Sequence, residues 1–319
     1  MSDPWPVGGT TTLQFNSPFI DSAGNGGQTF SPDPGGMAMF GQNVYIPSSS
    51  ARTIRRYNID GTGMTQITNP DFSNESESFR GIAGYNGKLY VADAGPALPN
   101  DPTGEIRRYN LDGSTDGMFY EKSSPRGNPP FGVVGKSPGR VRWFNDRLYI
   151  QEGGTGSPSR IGVFDAAGNK LGNLDPGPGT AGLFTIRADG TLFALDHTGD
   201  AATRVVSISI GTANDLSDYG APVTFGEANG VDTPAMISVR DVGIDPRNGS
   251  LIALTGVFNT GQNNILQFTG DTGDFVQTIA SWTVGPDTGA RELLVTPEPA
   301  TLALVGLGSL LMIRRRRGA

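Results

Sequence analysis

Short apolar segments recur along the chain, each introduced by a turn dipeptide. Gln42-Asn43 leads into Val44-Tyr45-Ile46, Asn86-Gly87 into Leu89-Tyr90-Val91, and Asn145-Asp146 into Leu148-Tyr149-Ile150. Asp189-Gly190 likewise precedes Leu192-Phe193-Ala194, and Asn248-Gly249 precedes Leu251-Ile252-Ala253. Asn-Gly, Asn-Asp and Asp-Gly supply the positive φ angles that tight hairpins demand, so each unit predicts a turn followed by a strand. A second strand follows each of them. Arg55-Arg56-Tyr57-Asn58-Ile59-Asp60-Gly61-Thr62 and Arg107-Arg108-Tyr109-Asn110-Leu111-Asp112-Gly113-Ser114 are near copies. Arg160-Ile161-Gly162-Val163-Phe164, Arg204-Val205-Val206-Ser207-Ile208 and Asn264-Ile265-Leu266-Gln267-Phe268 are weaker ones. The period is roughly 45–60 residues, with several short strands per repeat and no convincing helical stretch. That pattern predicts an all-β chain folded as a β-propeller, one antiparallel blade per repeat.

Within a blade, an inner strand such as Gly81–Gly84 comes first and an outer strand such as Met64–Thr68 last. Tyr45, Tyr90 and Tyr149 fall in equivalent strands and are expected between blades. The sequence Gly81-Ile82-Ala83, then Asn86-Gly87-Lys88-Leu89-Tyr90-Val91-Ala92-Asp93, then Ile106-Arg107-Arg108-Tyr109 resembles NHL-type and related six-bladed propeller repeats. The similarity is loose and spans most of residues 36–280. Five copies are visible. Arg291–Val295 can supply the inner strand of a composite sixth blade, completed from residues 10–35, which would leave no exposed sheet edge. A β-sandwich and a parallel β-helix share the many short strands and remain alternatives.

Composition narrows the function classes. The 47 Gly and 23 Pro among 319 residues stay just below the roughly 25–30% at which low-complexity disorder becomes the default. With no Cys and a single His, His197, neither disulfides, thiolate zinc, a cysteine nucleophile nor a multi-histidine metal site can be built. The net charge of −7 argues against nucleic acid as a partner.

Charge distribution changes the picture more. Arg314, Arg315, Arg316 and Arg317 are consecutive, and Ala300–Ile313 before them holds no charge. As a helix that stretch would span about 21 Å, short of a hydrocarbon core of about 30 Å. A basic end favours a short membrane helix with the arginines kept in the cytoplasm and the first 295 residues outside it. Pro297-Glu298-Pro299, the apolar stretch and the arginine block, in that order, resemble a PEP-CTERM sorting signal. The resemblance implies an exported protein of a Gram-negative bacterium, held transiently in the inner membrane until an exosortase cleaves it. Delivery would then be to the cell surface or extracellular matrix, with exopolysaccharide or a surface protein as partner. It also divides the chain into a propeller, 1–295, and a sorting signal, 296–319. Such proteins normally begin with a secretory signal peptide, whereas Met1–Phe15 lacks both a basic n-region and an apolar h-region. A start assigned too far downstream is the favoured explanation.

Catalytic motifs are missing from the sequence, and His197 reads as a loop residue just after a strand. Two columns of equivalent positions remain. Ser48, Asp93, Glu152, Asp196 and Thr255 follow the Leu or Val positions by four. Asp93, Glu152 and Asp196 are weak candidates for a hard-cation site such as Ca²⁺; otherwise no cofactor is expected, and each acid would accept hydrogen bonds at a strand end. Arg80, Arg240 and Arg291, with Arg140 one position out of register, precede the inner strands and are candidates for a basic rim around the channel. The readings left are an exported binding or structural propeller and, as its rival, a metal-dependent hydrolase or lyase similar to gluconolactonase-type propellers.

Overall fold

The computed structural model describes residues 36–48, 53–59, 61–67, 79–93, 105–120, 137–153, 160–177, 180–198, 202–225, 239–256 and 261–284. These form five four-stranded antiparallel sheets, each a meander in chain order, and no helix is found among them. The first blade is β1 (Ala38–Phe40), β2 (Asn43–Ser48), β3 (Thr53–Asn58) and β4 (Thr65–Ile67). The second is β5 (Phe79–Tyr85), β6 (Lys88–Asp93), β7 (Glu105–Asn110) and β8 (Thr115–Tyr120). The third is β9 (Ser137–Phe144), β10 (Arg147–Gly153), β11 (Arg160–Asp165) and β12 (Lys170–Leu174). The fourth is β13 (Thr180–Ile186), β14 (Thr191–Thr198), β15 (Ala202–Ser209) and β16 (Val223–Phe225). The fifth is β17 (Val239–Ile244), β18 (Leu251–Gly256), β19 (Gly261–Phe268) and β20 (Phe275–Val284). The chain is a β-propeller with five described blades, as the repeat predicts. Residues 10–35, 291–295 and 296–319, which carry the expected closing blade and the tail helix, lie outside the described residues.

Two of the five turn dipeptides supply a positive φ at both residues, Asp189-Gly190 and Asn248-Gly249 supply it at the glycine alone, and before β2 it falls on Gly41 instead of Gln42-Asn43. Asn86 and Gly87 (φ 47° and 73°) join β5 to β6, and Asn145 and Asp146 (φ 46° and 58°) join β9 to β10. Two successive positive φ angles twist the hairpin with the strands rather than against them. Both turns sit at the same end of the ring, since the Tyr85 hydroxyl donates to the Asp146 carboxylate across the blade boundary. At that end Arg187, after β13, also donates to the Gly270 carbonyl (2.6 Å) and Asp271 carboxylate (2.9 Å) of the fifth blade. We call it the turn end. All five inner strands start from the other, open end.

Strand alternation sends successive side chains to opposite neighbours. In β6, Leu89 and Val91 pack toward the first blade while Tyr90 and Ala92 pack toward the third. Tyr45, Tyr90 and Tyr149 each fill a different inter-blade core, as their spacing predicted. Burial of each large apolar side chain contributes about 1.5–3 kcal/mol, so four such seams dominate the stability. Near the axis the inner strands crowd together: a Cβ on Gly81 would strike the Gly139 carbonyl oxygen of the next blade.

Candidate functional site

The inner strands of four blades carry an irregularity at one level. Register shifts between Phe79 and Gly81, between Val239 and Asp241, and between Ala181 and Phe184, and opposite Gln151 in β9. A bulge puts an extra residue in one strand and re-aims its side chain. Arg80 is the extra residue of β5 and Arg240 of β17, so both lie within their strands rather than ahead of them. Arg80 is exposed. Arg291 lies outside the described residues.

Arg140, in β9, points across the ring. Its Nη1 and Nη2 donate to Oδ1 and Oδ2 of Asp241 in β17 at 2.5 and 2.8 Å, a bidentate pair spanning the fourth blade. Nη1 also approaches the Phe184 and Val242 carbonyls, at 3.4 and 3.5 Å. The two side chains are 3% and 0% exposed, so the guanidinium is matched by a carboxylate and shielded from solvent. A planar fork suits that geometry in a way an ammonium would not. Asp241 is a residue the sequence did not single out: it follows Arg240 in the chain and neutralises Arg140.

The acidic column lies at the open end, where β2, β6, β10, β14 and β18 finish. Asp93 is buried, with Arg107 Nε 3.5 Å from its Oδ2; the same nitrogen is 3.2 Å from Glu105 Oε2. Glu152 is buried and accepts from Lys170 Nζ at 2.6 Å. Asp196 pairs in register with Arg204 across β14 and β15. Asp93 and Glu152 are therefore engaged within their own blades, whereas the side chain of Asp196 lies outside those described. Among the described residues, no group of three or more His, Asp or Glu side chains converges as a metal-ligand set.

Arg107 and Lys170 were missed from the sequence. Arg107 belongs to the repeated Arg-Arg pair, whose two members separate in the structure: Arg107 turns to the Asp93 side, while Arg108 donates to the Asp116 carbonyl at 3.0 Å. Lys88, above all, holds the half-buried Asp116 carboxyl below the usual carboxylate range, with Arg108 assisting. His197 differs from expectation, lying inside β14 because the ladder continues through Thr198 opposite Ala202.

At the turn end a polar latch ties the third blade to residues 210–222. Arg147 donates to Tyr219 Oη (2.7 Å), to the Thr212 carbonyl and to Asn214 Oδ1 (3.2 Å), and Tyr149 shares a 2.9 Å hydroxyl contact with Tyr219. Burial, then the Tyr219 hydroxyl, pushes the Tyr149 phenol far above its ordinary range, so it stays neutral.

Comparison with known proteins bears on fold and tail separately. The sequence model of the PEP-CTERM protein-sorting motif matches residues 295–317. The chain carries a PEP-CTERM sorting motif. It includes Pro297, Glu298, Pro299 and Arg314–Arg317, implies export with a membrane-anchored signal, and implies exosortase processing. No curated protein matches the chain. Among solved structures, a luciferin-regenerating enzyme is similar at TM-score 0.53 and 14% identity, over 80% of this chain and 77% of its own. The Cps50 (Swd1) β-propeller domain of Myceliophteria thermophila gives 0.51 and 8%, over 77% and 72%. Kuenenia stuttgartiensis hydrazine synthase gives 0.50 and 14%, over 81% and 76%. At these identities the likeness is one of fold. Among the described residues no helix is long and apolar enough to cross a membrane.

Proposed function

We propose that this chain is an exosortase substrate whose propeller serves as a binding or structural component of the cell surface or exopolysaccharide matrix. The observation that carries the reading is the sorting motif at residues 295–317, attached to an exported propeller. The interior supports a non-catalytic role. Arg140 with Asp241, Arg107 with Asp93 and Lys170 with Glu152 are pairs that stiffen a scaffold, because each charge is already matched by a partner. Residues 1–295 form the delivered domain and 296–319 the signal. Ala300–Ile313 is the transient inner-membrane helix, and the arginines stay cytoplasmic because each costs about 2.5–3.5 kcal/mol to place in hydrocarbon.

Fractionation of the native host and of an isogenic strain without exosortase tests this. The protein should be recovered from the surface or matrix of the first and from the inner membrane of the second. Equal release from both strains would overturn the proposal.

A further inference from the structure

Each described blade ends in an outermost strand with a free edge, and natural sheets guard such edges by shortness, charge, proline or bulges. Four of the five carry that protection. β4 and β16 are three residues long. β8 holds Asp116, half-buried against Lys88 and Arg108, and its pairing with β7 shifts register twice. β12 starts at Lys170 and shifts once against β11. β20 differs. It runs for ten residues, Phe275–Val284, with no Asp, Glu, Lys, Arg or Pro among them. Of the three large apolar side chains exposed among the described residues, two open this strand, Phe275 at 45% and Val276 at 48%. Its two register shifts against β19 both fall before Ala280. Beyond them Ala280, Ser281, Trp282, Thr283 and Val284 pair in unbroken order with residues 265 to 261. Ser281 is exposed there.

We propose that the free edge of β20 is a dimerisation surface, on which residues 280–284 of a second copy of this chain add as an antiparallel strand. The inference concerns the propeller alone and is independent of sorting and of what the ring binds. Charge selects a copy as the occupant. The chain carries −7 overall, so two copies approach most easily where no charge meets its own image. The same pairing through β8 or β12 would set Asp116 or Lys170 near its image, which is destabilising across strands. Residues 280–284 bring no charge to the pairing. An antiparallel edge also meets its own copy in the correct orientation under a twofold axis, the commonest symmetry of soluble oligomers. The backbone N–H and C=O groups that β20 turns away from β19 then find partners in the copy, as they do inside a blade.

Centred on Trp282, the pairing sets Ser281 opposite Thr283 of the copy. The two Ser281 positions then lie diagonally about 7–8 Å apart on one face, within reach of long side chains. The two fifth blades become one continuous sheet, and the rings join rim to rim with both ends of each left clear. Five residues a side are a small contact beside the about 1,200–2,000 Å² of a stable interface, so the association is concentration-dependent.

Sedimentation velocity on the full chain in mild detergent, which shields the apolar stretch 300–313, tests the proposal. The parent should pass from monomer to dimer as concentration rises. Ser281→Lys and Ser281→Asp each set two like charges across the axis, so either variant alone should stay monomeric while its β17–β19 amides keep their protection against hydrogen exchange. An equal mixture of the two should dimerise again, because lysine then faces aspartate. A parent that is monomeric at every concentration would overturn the proposal. So would a dimer that both variants leave intact, since another surface would then hold it, or a mixture that stays monomeric. Protection of residues 280–284 that appears only on adding matrix from the host would assign the edge to a foreign strand and equally overturn it.

Discussion

Arg140 and Asp241 offer the sharpest test at the scale of single residues. Truncation of Arg140 to Met leaves the Asp241 carboxylate buried without its principal cation, which costs about 3–5 kcal/mol. Replacing both, Arg140→Met with Asp241→Leu, removes the stranded charge and should recover much of that loss. Chemical denaturation of both variants checks it. A single variant as stable as the parent would show that the pair does not brace the ring. The acidic column makes a parallel case. Asp93→Asn and Glu152→Gln should each lower stability by about 1–3 kcal/mol, because Arg107 and Lys170 lose a charged acceptor. Thermal melts read this as a drop of about 2–4 °C per kcal/mol for a chain of this size.

At the scale of the element, the irregular pieces carry the predictions. Gly81→Ala introduces a Cβ against the Gly139 carbonyl, and backbone cannot yield as a flexible side chain can. About 1–3 kcal/mol of overpacking cost is expected, read as a lower denaturation midpoint. The 210–222 latch should be acid-sensitive. Backbone N–H groups of Thr212 and then Ala213 hold the exposed Asp218 carboxyl below its ordinary range. A lowered folded value means its contribution is complete above about pH 4 and fades as pH falls through that lower value. Hydrogen exchange in 210–218 should therefore rise first on acidification, and Asp218→Asn should abolish that pH dependence. Regular elements were legible in the sequence because they rest on local signals: Asn86-Gly87 forces a hairpin, and the recurring Leu positions mark buried strands. The Arg140–Asp241 pair was not legible, because it joins residues far apart in the chain that only ring curvature brings together. The bulge at Arg80 and Arg240 escaped for a related reason: a register shift changes where a side chain points without altering the residue pattern. The latch has neither repeat nor alternation to announce it.

On the scale of the whole molecule, a propeller is joined to a sorting motif at residues 295–317. The tail was the most legible part of the chain, since its three parts are contiguous and need no tertiary context. Removal of Glu298 and Arg314–Arg317 makes the released protein more negative than the −7 of the intact chain. The most direct measurement is the intact mass and C-terminal sequence of protein recovered outside cells of an exosortase-bearing strain. The account predicts a C-terminus near Pro297-Glu298-Pro299, with the arginine block gone. Extracellular protein that still carries Arg314–Arg317 would contradict it.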